Sequence, residues 1–324
     1  MHKIPTTILT GFLGAGKTTL LNHLLSHESG ERIAVIVNEY GEVGIDGQLV
    51  VGTQDEVIEL SNGCLCCTVR GDLIAAIGDL MASGRPIDRI VIETSGLADP
   101  APVIQSFVLD DVLSRRPALD AIVTVVDARH LPLQLSQDEA REQIAFADVI
   151  LLNKTDLVDA AAQAAAERDV RRLNPMARLH RTRDCAVERA HVFDIGAFDL
   201  QNLLRIDPAL LDAHEHEHDA DIACIAVRHA GALDPVQFNR FLSQLVAEKG
   251  ADLLRMKGIV DFAGEARRYV FHGVHMTLDG RPGRPWAPGE VRLNQIVFIG
   301  RGLDAAMLTE GVASCQAKLP ALAS

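Results

Sequence analysis

The chain has 324 residues, of which 48% are hydrophobic, and a formal net charge of −13. This length allows about two domains, and the acidic balance argues against a general binder of nucleic acid or anionic membranes, because those partners select for clustered Lys and Arg. No apolar run approaches the ~20 residues that a membrane span needs. The chain starts directly with a predicted strand, so we expect no signal peptide.

Short β-branched runs alternate with amphipathic helical stretches over the first two-thirds of the chain. Strands are predicted at residues 6–10, 33–37, 57–60, 89–92, 121–126 and 149–152. The alternation predicts an α/β fold with a mostly parallel, doubly wound sheet and helices on both faces. Ligands of such sheets bind beyond the carboxyl ends of the strands, so motifs directly after strands are candidates for the site.

A glycine-rich loop follows the first strand. Residues 11–18 read G-F-L-G-A-G-K-T and satisfy G-x-x-x-x-G-K-[ST] between a strand and a helix, which disfavours the alternative of a chance Gly-rich turn. Lys17 is predicted to reach the β/γ-phosphates, and the Thr18 hydroxyl to bind Mg²⁺. The predicted phosphate-binding residues are Gly11, Phe12, Leu13, Gly14, Ala15, Gly16, Lys17, Thr18 and Thr19.

Two acidic residues follow the second strand, where the first switch loop of a nucleotide hydrolase should lie. Glu39 and Glu42 are either ordinary solvated loop residues or ligands of Mg²⁺ or of a second metal ion. Their place between the phosphate loop and the next acidic motif makes them candidates for a metal shell.

Three cysteines, Cys64, Cys66 and Cys67, crowd into four positions after an Asn-Gly turn signal. Thiolates suit Zn²⁺, Cu(I) or Co²⁺ better than Mg²⁺, and two or three of them with one further ligand make a tetrahedral site. A redox pair or buried small hydrophobes are the alternatives. Six cysteines in all are too few for a disulfide scaffold, so we expect a reducing, cytoplasmic location. The isolated Cys185, Cys224 and Cys315 are interpreted as structural.

An acidic motif, E-T-S-G at residues 93–96, follows the predicted strand at 89–92. Glu93 takes the place of the acid that reaches Mg²⁺ through water in G proteins, and Gly96 that of the glycine whose N–H contacts the γ-phosphate. Asp127 also ends a strand, but it is interpreted as a capping or turn residue. The predicted catalytic residues are therefore Lys17, Glu93 and Gly96.

The base-reading motif N-K-x-D comprises Asn153, Lys154, Thr155 and Asp156, directly after the strand at 149–152. The Asp156 carboxylate can accept two hydrogen bonds from the guanine edge, whereas adenine offers no matching donors and would leave the carboxylate unpaired. A helix N-cap is the alternative. After an intact phosphate loop, the motif predicts GTP.

Composition changes after residue 207. Residues 208–221 are rich in His and acid, and we interpret them as a linker in which His214, His216 and His218 either bind metal weakly or belong to a solvated tether. Beyond it, strands at 222–228, 259–262, 268–273 and 295–299, a Pro-started helix and a last helix at 304–312 predict a smaller α+β domain. The expected domains are 1–207 and 222–324.

These motifs together resemble the CobW-type GTPases, the metallochaperone branch of P-loop G proteins, along nearly the whole chain. Residues 93–100, E-T-S-G-L-A-D-P, are most similar to the zinc-handling members. The resemblance implies a GTP-hydrolysing metallochaperone that holds Zn²⁺, or Co²⁺, at Cys64, Cys66 and Cys67 and delivers it to a client metalloprotein. We expect no nucleic-acid or membrane partner, given the acidic charge, and interpret the second domain as a surface for client recognition or homo-oligomerisation.

Alternatives to this interpretation remain. One is a P-loop ATPase or kinase, another is a thiol-based metal or redox sensor, and within the family a cobalt-handling cobalamin-synthesis or metalloenzyme-activator protein is a third. The sequence departs from some relatives, which carry an acid where this chain has Val37, and from zinc members with an N-terminal Cys-Pro docking tail.

Overall fold

The computed structural model describes residues 3–26, 30–38, 56–60, 68–109, 117–197, 222–274 and 277–317. The chain divides into two compact units, Met1–Ala197 and Phe198–Ser324. The predicted linker at 208–221 lies outside the described residues, so the predicted boundaries at 207 and 222 stay predictions.

A parallel sheet organises the first unit, with seven strands in the described residues in the order β3-β2-β4-β1-β5-β6-β7. The strands are β1 (Ile4–Thr10), β2 (Ile33–Asn38), β3 (Glu56–Leu60), β4 (Arg89–Glu93), β5 (Pro117–Asp127), β6 (Val149–Asn153) and β7 (Arg178–Arg181). The helices are α1 (Lys17–Leu25), α2 (Thr68–Ala82), α3 (Ala101–Leu109), α4 (Leu131–Gln134), α5 (Asp138–Phe146) and α6 (Ala160–Leu173).

The central strands are buried on both faces, which explains why they read as continuous apolar runs rather than as alternating ones. All five residues of β4 and of β6 are buried. On one face, α1 packs Leu20, Leu21 and Leu24 against sheet residues such as Val35 and Val123. The predicted doubly wound α/β fold is confirmed.

The edge strand β7 was missed by the sequence prediction. Its four residues read Arg-Leu-His-Arg, and the two arginines at its ends are exposed. Among the described strands it pairs only with β6, with Leu179 opposite Ile150. An edge strand with one neighbour does not need a continuous apolar run, so the hydrophobic pattern carries little signal there.

The second unit contains an antiparallel sheet of five strands in the described residues, in the order β11-β10-β9-β12-β8. The strands are β8 (Ile222–Ala230), β9 (Leu253–Val260), β10 (Arg267–Val274), β11 (Thr277–Pro285) and β12 (Leu293–Arg301), and the helices are α7 (Pro235–Lys249) and α8 (Ala305–Ser314).

Both helices of the second unit bury apolar side chains in its core. Phe238 and Leu242 of α7 and Leu308 of α8 share that core with Phe271 and Phe298 of the sheet. The predicted α+β class is confirmed, but the predicted strand at 259–262 was misplaced because β9 begins at Leu253. Strand β11 was missed because its sequence, TLDGRPGRP, is rich in Gly and Pro, which usually mark turns.

Across the described residues, every helix falls short of the length and apolarity needed to cross a membrane.

Candidate functional site

The phosphate loop at residues 11–18 joins β1 to α1, at the carboxyl edge of the parallel sheet. Gly11, Gly14 and Gly16 have φ values of 141°, 72° and 117°, which L side chains rarely adopt. The loop is therefore shaped by its glycines, and it ends at the first turn of a helix, where free N–H groups favour anions.

Two of these glycines are also required by close packing. A β-carbon on Gly11 would lie 2.3 Å from the Val125 carbonyl oxygen of β5. A β-carbon on Gly16 would lie 2.7 Å from Asn153 Nδ2 and 2.9 Å from Cys185 Sγ. The loop thus packs closely against the neighbouring strand β5, and Gly16 packs against Asn153 of the base-reading motif.

Lys17, Thr18 and Glu93 converge beside this loop. Lys17 Nζ donates to the Gly11 carbonyl at 2.9 Å, and the Thr18 hydroxyl donates to Glu93 Oε1 at 3.1 Å. Glu93 is 3% exposed and ends β4, next to β1 in the sheet. Thr18 and Glu93 together offer the hard oxygen ligands that Mg²⁺ prefers, so the residues present fit that ion.

Asn153 and Lys154 of the base-reading motif are bonded to the phosphate loop. Asn153 Nδ2 donates to the Ala15 carbonyl at 3.0 Å, and Lys154 Nζ donates to the Gly14 carbonyl at 2.7 Å. The two predicted motifs, more than 130 residues apart in the chain, are therefore in direct contact.

A second segment, which sequence reasoning missed, supports the base-reading motif. Thr182 and Cys185 follow β7 and donate to Asn153 Oδ1, through the hydroxyl at 3.1 Å and the backbone N–H at 2.9 Å. The Cys185 thiol donates to the Gly16 carbonyl at 3.2 Å. Burial raises the pKa of this thiol to about 12, so it remains protonated at neutral pH. Because the hydrophobic pattern does not predict β7, it gives no signal that the loop after this strand belongs to the site.

Asp127 is a buried carboxylate held by backbone and side-chain donors. Its Oδ1 accepts from the Arg129 and His130 backbone N–H groups at 2.9 and 3.2 Å, as in an Asx turn. Its Oδ2 accepts from Lys154 Nζ at 2.7 Å and lies 2.9 Å from His130 Nδ1. Burial alone would raise its pKa, but the bonds from His130 and Lys154 hold the pKa below its ordinary value.

Asp156 is the partly exposed acid of the base-reading motif. Its side chain is 34% exposed, and its Oδ2 lies 3.8 Å from Arg183 Nε. The neighbouring Thr155 is fixed, since its hydroxyl donates to the Thr182 carbonyl at 2.9 Å. A carboxylate that is anchored through its neighbour and still accessible can accept hydrogen bonds from a bound base.

The remaining predicted site residues that the structure describes differ in their exposure to solvent. Phe12 is half-buried, whereas Leu13 and Thr19 are exposed. Gly96 is buried in a turn after β4 and packs against Leu13.

The predicted metal ligands Glu42, Cys64, Cys66 and Cys67 lie outside the described residues, as do Glu39, His214, His216 and His218. Within the part of the chain that the structure describes, no group of three or more His, Cys, Asp or Glu side chains could hold a metal ion. The cargo site therefore stays a prediction from the sequence.

Two family descriptions match the chain in succession. The CobW/HypB/UreG nucleotide-binding domain matches residues 5–181, more than half of the chain. The cobalamin synthesis protein cobW C-terminal domain matches residues 222–316.

Several characterised proteins are similar over almost their full length. Zinc chaperone YjiA of Escherichia coli (strain K12) is 37% identical over 306 residues, 93% of this chain and 95% of that protein. Zinc chaperone CobW of Sinorhizobium sp is 35% identical over 332 residues, 92% of this chain and 93% of that protein. The zinc-regulated GTPase metalloprotein activator 1 of Schizosaccharomyces pombe is 33% identical over 344 residues, 94% of this chain and 84% of that protein.

A solved structure has the same fold. The crystal structure of the Zn(II)-bound YjiA GTPase from E. coli aligns with a TM-score of 0.80 at 32% identity, covering 98% of this chain and 100% of that chain. The predicted resemblance is thereby confirmed, and the chain belongs to the CobW/HypB/UreG family of P-loop GTPases.

Proposed function

We propose that this protein is a GTP-dependent metallochaperone that binds Zn²⁺ through Cys64, Cys66 and Cys67 and passes it to a client metalloprotein. The GTP-binding part of the proposal rests on the hydrogen bonds from Asn153 and Lys154 to the phosphate loop. The metal half is supported by the thiolate spacing and by relatives that are named zinc chaperones.

Phosphate binding and hydrolysis are assigned to the phosphate loop and to the end of β4. Lys17 binds the β- and γ-phosphates, and the N–H groups of the loop from Gly11 to Thr18 cradle them. Thr18 and Glu93 would hold Mg²⁺, which when bound neutralises charge on the phosphates. The Gly96 N–H contacts the γ-phosphate, so the turn after β4 reports whether that phosphate is present.

Guanine selectivity is assigned to Asp156. Its carboxylate accepts from the N1–H and N2–H₂ groups of guanine, and adenine would leave it without donors. Asn153, Lys154 and Thr155 keep this carboxylate in register with the phosphate loop through the contacts already described. The same residues explain why GTP rather than ATP is the proposed substrate.

The cargo metal is assigned to the cysteine motif. Soft thiolates favour Zn²⁺, and Co²⁺ in the same geometry is the alternative cargo. Glu42 is a further candidate ligand from the first switch loop. GTP is proposed to order this loop and the Gly96 turn, which tightens the metal site, and hydrolysis loosens it so that the metal passes to the client.

The second unit, with the proposed bounds 222–324, is assigned to client recognition or to homo-oligomerisation. The segment at 208–221 is proposed as its linker, and His214, His216 and His218 as a weak metal-collecting site within it. The first domain is proposed to span residues 1–207.

Cobalt spectroscopy tests the assigned metal site. Co²⁺ bound to thiolates in a tetrahedral site should give intense visible bands and thiolate charge transfer, and replacing both Cys66 and Cys67 by Ser should remove them while GTP binding persists. Cys224→Ser serves as the matched control, because Cys224 lies in β8 of the other unit and should not affect the bands. Thiolate bands that survive the double substitution would place the metal on other cysteines and contradict this assignment.

A further inference from the structure

The proposed γ-phosphate sensor lies in a tight turn at residues 95–98. The Ala98 N–H donates to the Ser95 carbonyl at 3.1 Å, which makes Gly96 the second residue of a β-turn. A β-carbon on Gly96 would lie 2.8 Å from the Leu13 backbone nitrogen and 2.6 Å from Leu13 Cδ2. The turn therefore rests directly on the phosphate loop.

A buried glutamine on α5 holds the same turn. Gln143 is 1% exposed, and its Nε2 donates to the Gly96 carbonyl at 3.2 Å and to the Ala98 carbonyl at 3.1 Å. Gln143 lies 47 residues from Gly96 in the chain, so the tertiary fold and not local sequence makes this contact. A side-chain amide has two N–H donors, and the turn takes both.

The surroundings of Gln143 argue against a packing role alone. The backbone carbonyl of Gln143 accepts a hydrogen bond from the Thr124 hydroxyl of β5 at 2.8 Å, which fixes α5 to the sheet. Among the described residues, no hydrogen bond reaches Gln143 Oε1 although the atom is buried. A buried acceptor without a donor is destabilising, and an apolar side chain of similar size would avoid that cost. The glutamine is instead suited to supplying two donors to the turn.

We infer that Gln143 is a positioning residue that pre-orders the Gly96 turn and so lets the protein distinguish a nucleoside triphosphate from a diphosphate. The inference rests on the γ-phosphate role proposed for Gly96. Gln143 holds two carbonyls of the turn, and the Gly96 backbone packs against Leu13. The turn therefore needs little further ordering when a third phosphate binds. Preordered dipoles stabilise charge without a reorganisation cost.

Gln143→Met tests this by removing both donors at nearly constant volume. We expect the affinity for a non-hydrolysable GTP analogue, measured by calorimetry, to fall about 10-fold, and that for GDP to change less than about 2-fold, because GDP lacks the phosphate that the turn contacts. Gln143→Asn keeps a buried amide that is one methylene too short to hold both carbonyls. It should show the same selective loss, and it keeps the test usable if the Met variant does not fold.

Asn174, directly after α6, provides a matched control because its side chain contacts the same helix, α5. It is another amide at 1% exposure, and its Nδ2 donates to the carbonyls of Ile144, Ala145 and Ala147 at the end of α5. Asn174→Leu should lower the melting temperature but keep the ratio of GTP-analogue to GDP affinity. Equal losses of both affinities in the Gln143 variants, or an unchanged ratio, would overturn the inference.

Gly96→Ala separates this inference from the proposal beneath it. If Gly96→Ala lowers the affinity ratio and the Gln143 variants do not, only the role of Gln143 is wrong. If Gly96→Ala leaves the ratio unchanged, the sensor role of Gly96 fails, and the role of Gln143 fails with it.

Discussion

The phosphate loop at residues 11–18 takes its shape from backbone freedom, whereas the base-reading segment at 153–156 is fixed by side chains. The loop has positive φ at three glycines, and two of them are packed too closely for a β-carbon. In the base-reading segment, Lys154 adopts a φ of 59° although it has a side chain, and that side chain bonds both Gly14 and Asp127. Added atoms should therefore damage the loop, and lost hydrogen bonds should damage the segment.

The largest effect is expected at Lys17, whose positive charge is proposed to bind the phosphates. Lys17→Ala should lower GTP affinity or turnover about 100-fold or more, because no other group in the loop supplies a positive charge. Its melting temperature should stay close to that of the wild type. Lys249→Ala, at the end of α7 in the other unit, is the matched control. Wild-type turnover in Lys17→Ala would mean that the activity does not reside in this loop.

Asp156→Asn tests the base-reading side of the comparison. The substitution removes one of two paired acceptors and strands donors on guanine, so GTP affinity should fall by about 100-fold. Competition binding with GTP and ATP measures this. Equal affinity of the wild type for the two nucleotides would refute the guanine assignment.

Gly16→Ala should affect both regions together. The added β-carbon meets Asn153 and Cys185, and the φ of 117° disfavours any side chain, so we expect a loss of about 1–3 kcal/mol in the free energy of unfolding and weaker GTP binding. Gly30→Ala is the control, because Gly30 also has positive φ but open space around it. It should cost about 1–2 kcal/mol and leave GTP binding intact. Equal effects on GTP binding would mean that contact with Asn153 does not matter.

The effect expected at Asp127 is confined to stability and depends on pH. Its pKa in the folded protein lies below the ordinary value of 3.8, so its stabilising contribution is present above pH 3.8 and is lost as the pH falls through the folded value. Asp127→Asn should cost about 1–3 kcal/mol at pH 7, and the difference from wild type should shrink below pH 4. Urea unfolding of the variant and the wild type at pH 7 and below pH 4 measures this difference in the free energy of unfolding.

An exposed acid gives the comparison for Asp127. Asp138 pairs with Arg141 on the surface of α5, and Asp138→Asn should cost less than about 0.5 kcal/mol at either pH. A difference between Asp127→Asn and wild type that grows on acidification would contradict the anchoring role of Asp127.

The buried strands and the two nucleotide motifs could be predicted from sequence because each has a strong local signal. Strands β1, β4 and β6 are short runs rich in β-branched and apolar residues, and each is followed at once by a sequence motif. Edge strand β7 has no such run, and β11 contains Gly and Pro, so their patterns mislead. The same limit applies to site residues that act across the fold.

Cys185 and Gln143 illustrate that limit. Neither belongs to a motif, and each contacts the site only because distant segments pack together, Cys185 on Gly16 and Gln143 on Gly96. Sequence spacing could not have predicted these contacts. The cysteine motif is the reverse case, since its spacing predicts chemistry although residues 61–67 lie outside the described chain.

Metal affinity compared between nucleotide states is the most direct test of the proposed metallochaperone. Zn²⁺ affinity should be measured by competition with a chelator, with a non-hydrolysable GTP analogue and then with GDP. We expect binding at least ~10-fold tighter with the analogue, a coupling of ~1.4 kcal/mol or more, and an equal tightening of nucleotide binding by metal. Equal Zn²⁺ affinity in the two states would contradict the proposal, because the metal would then be independent of the GTP switch.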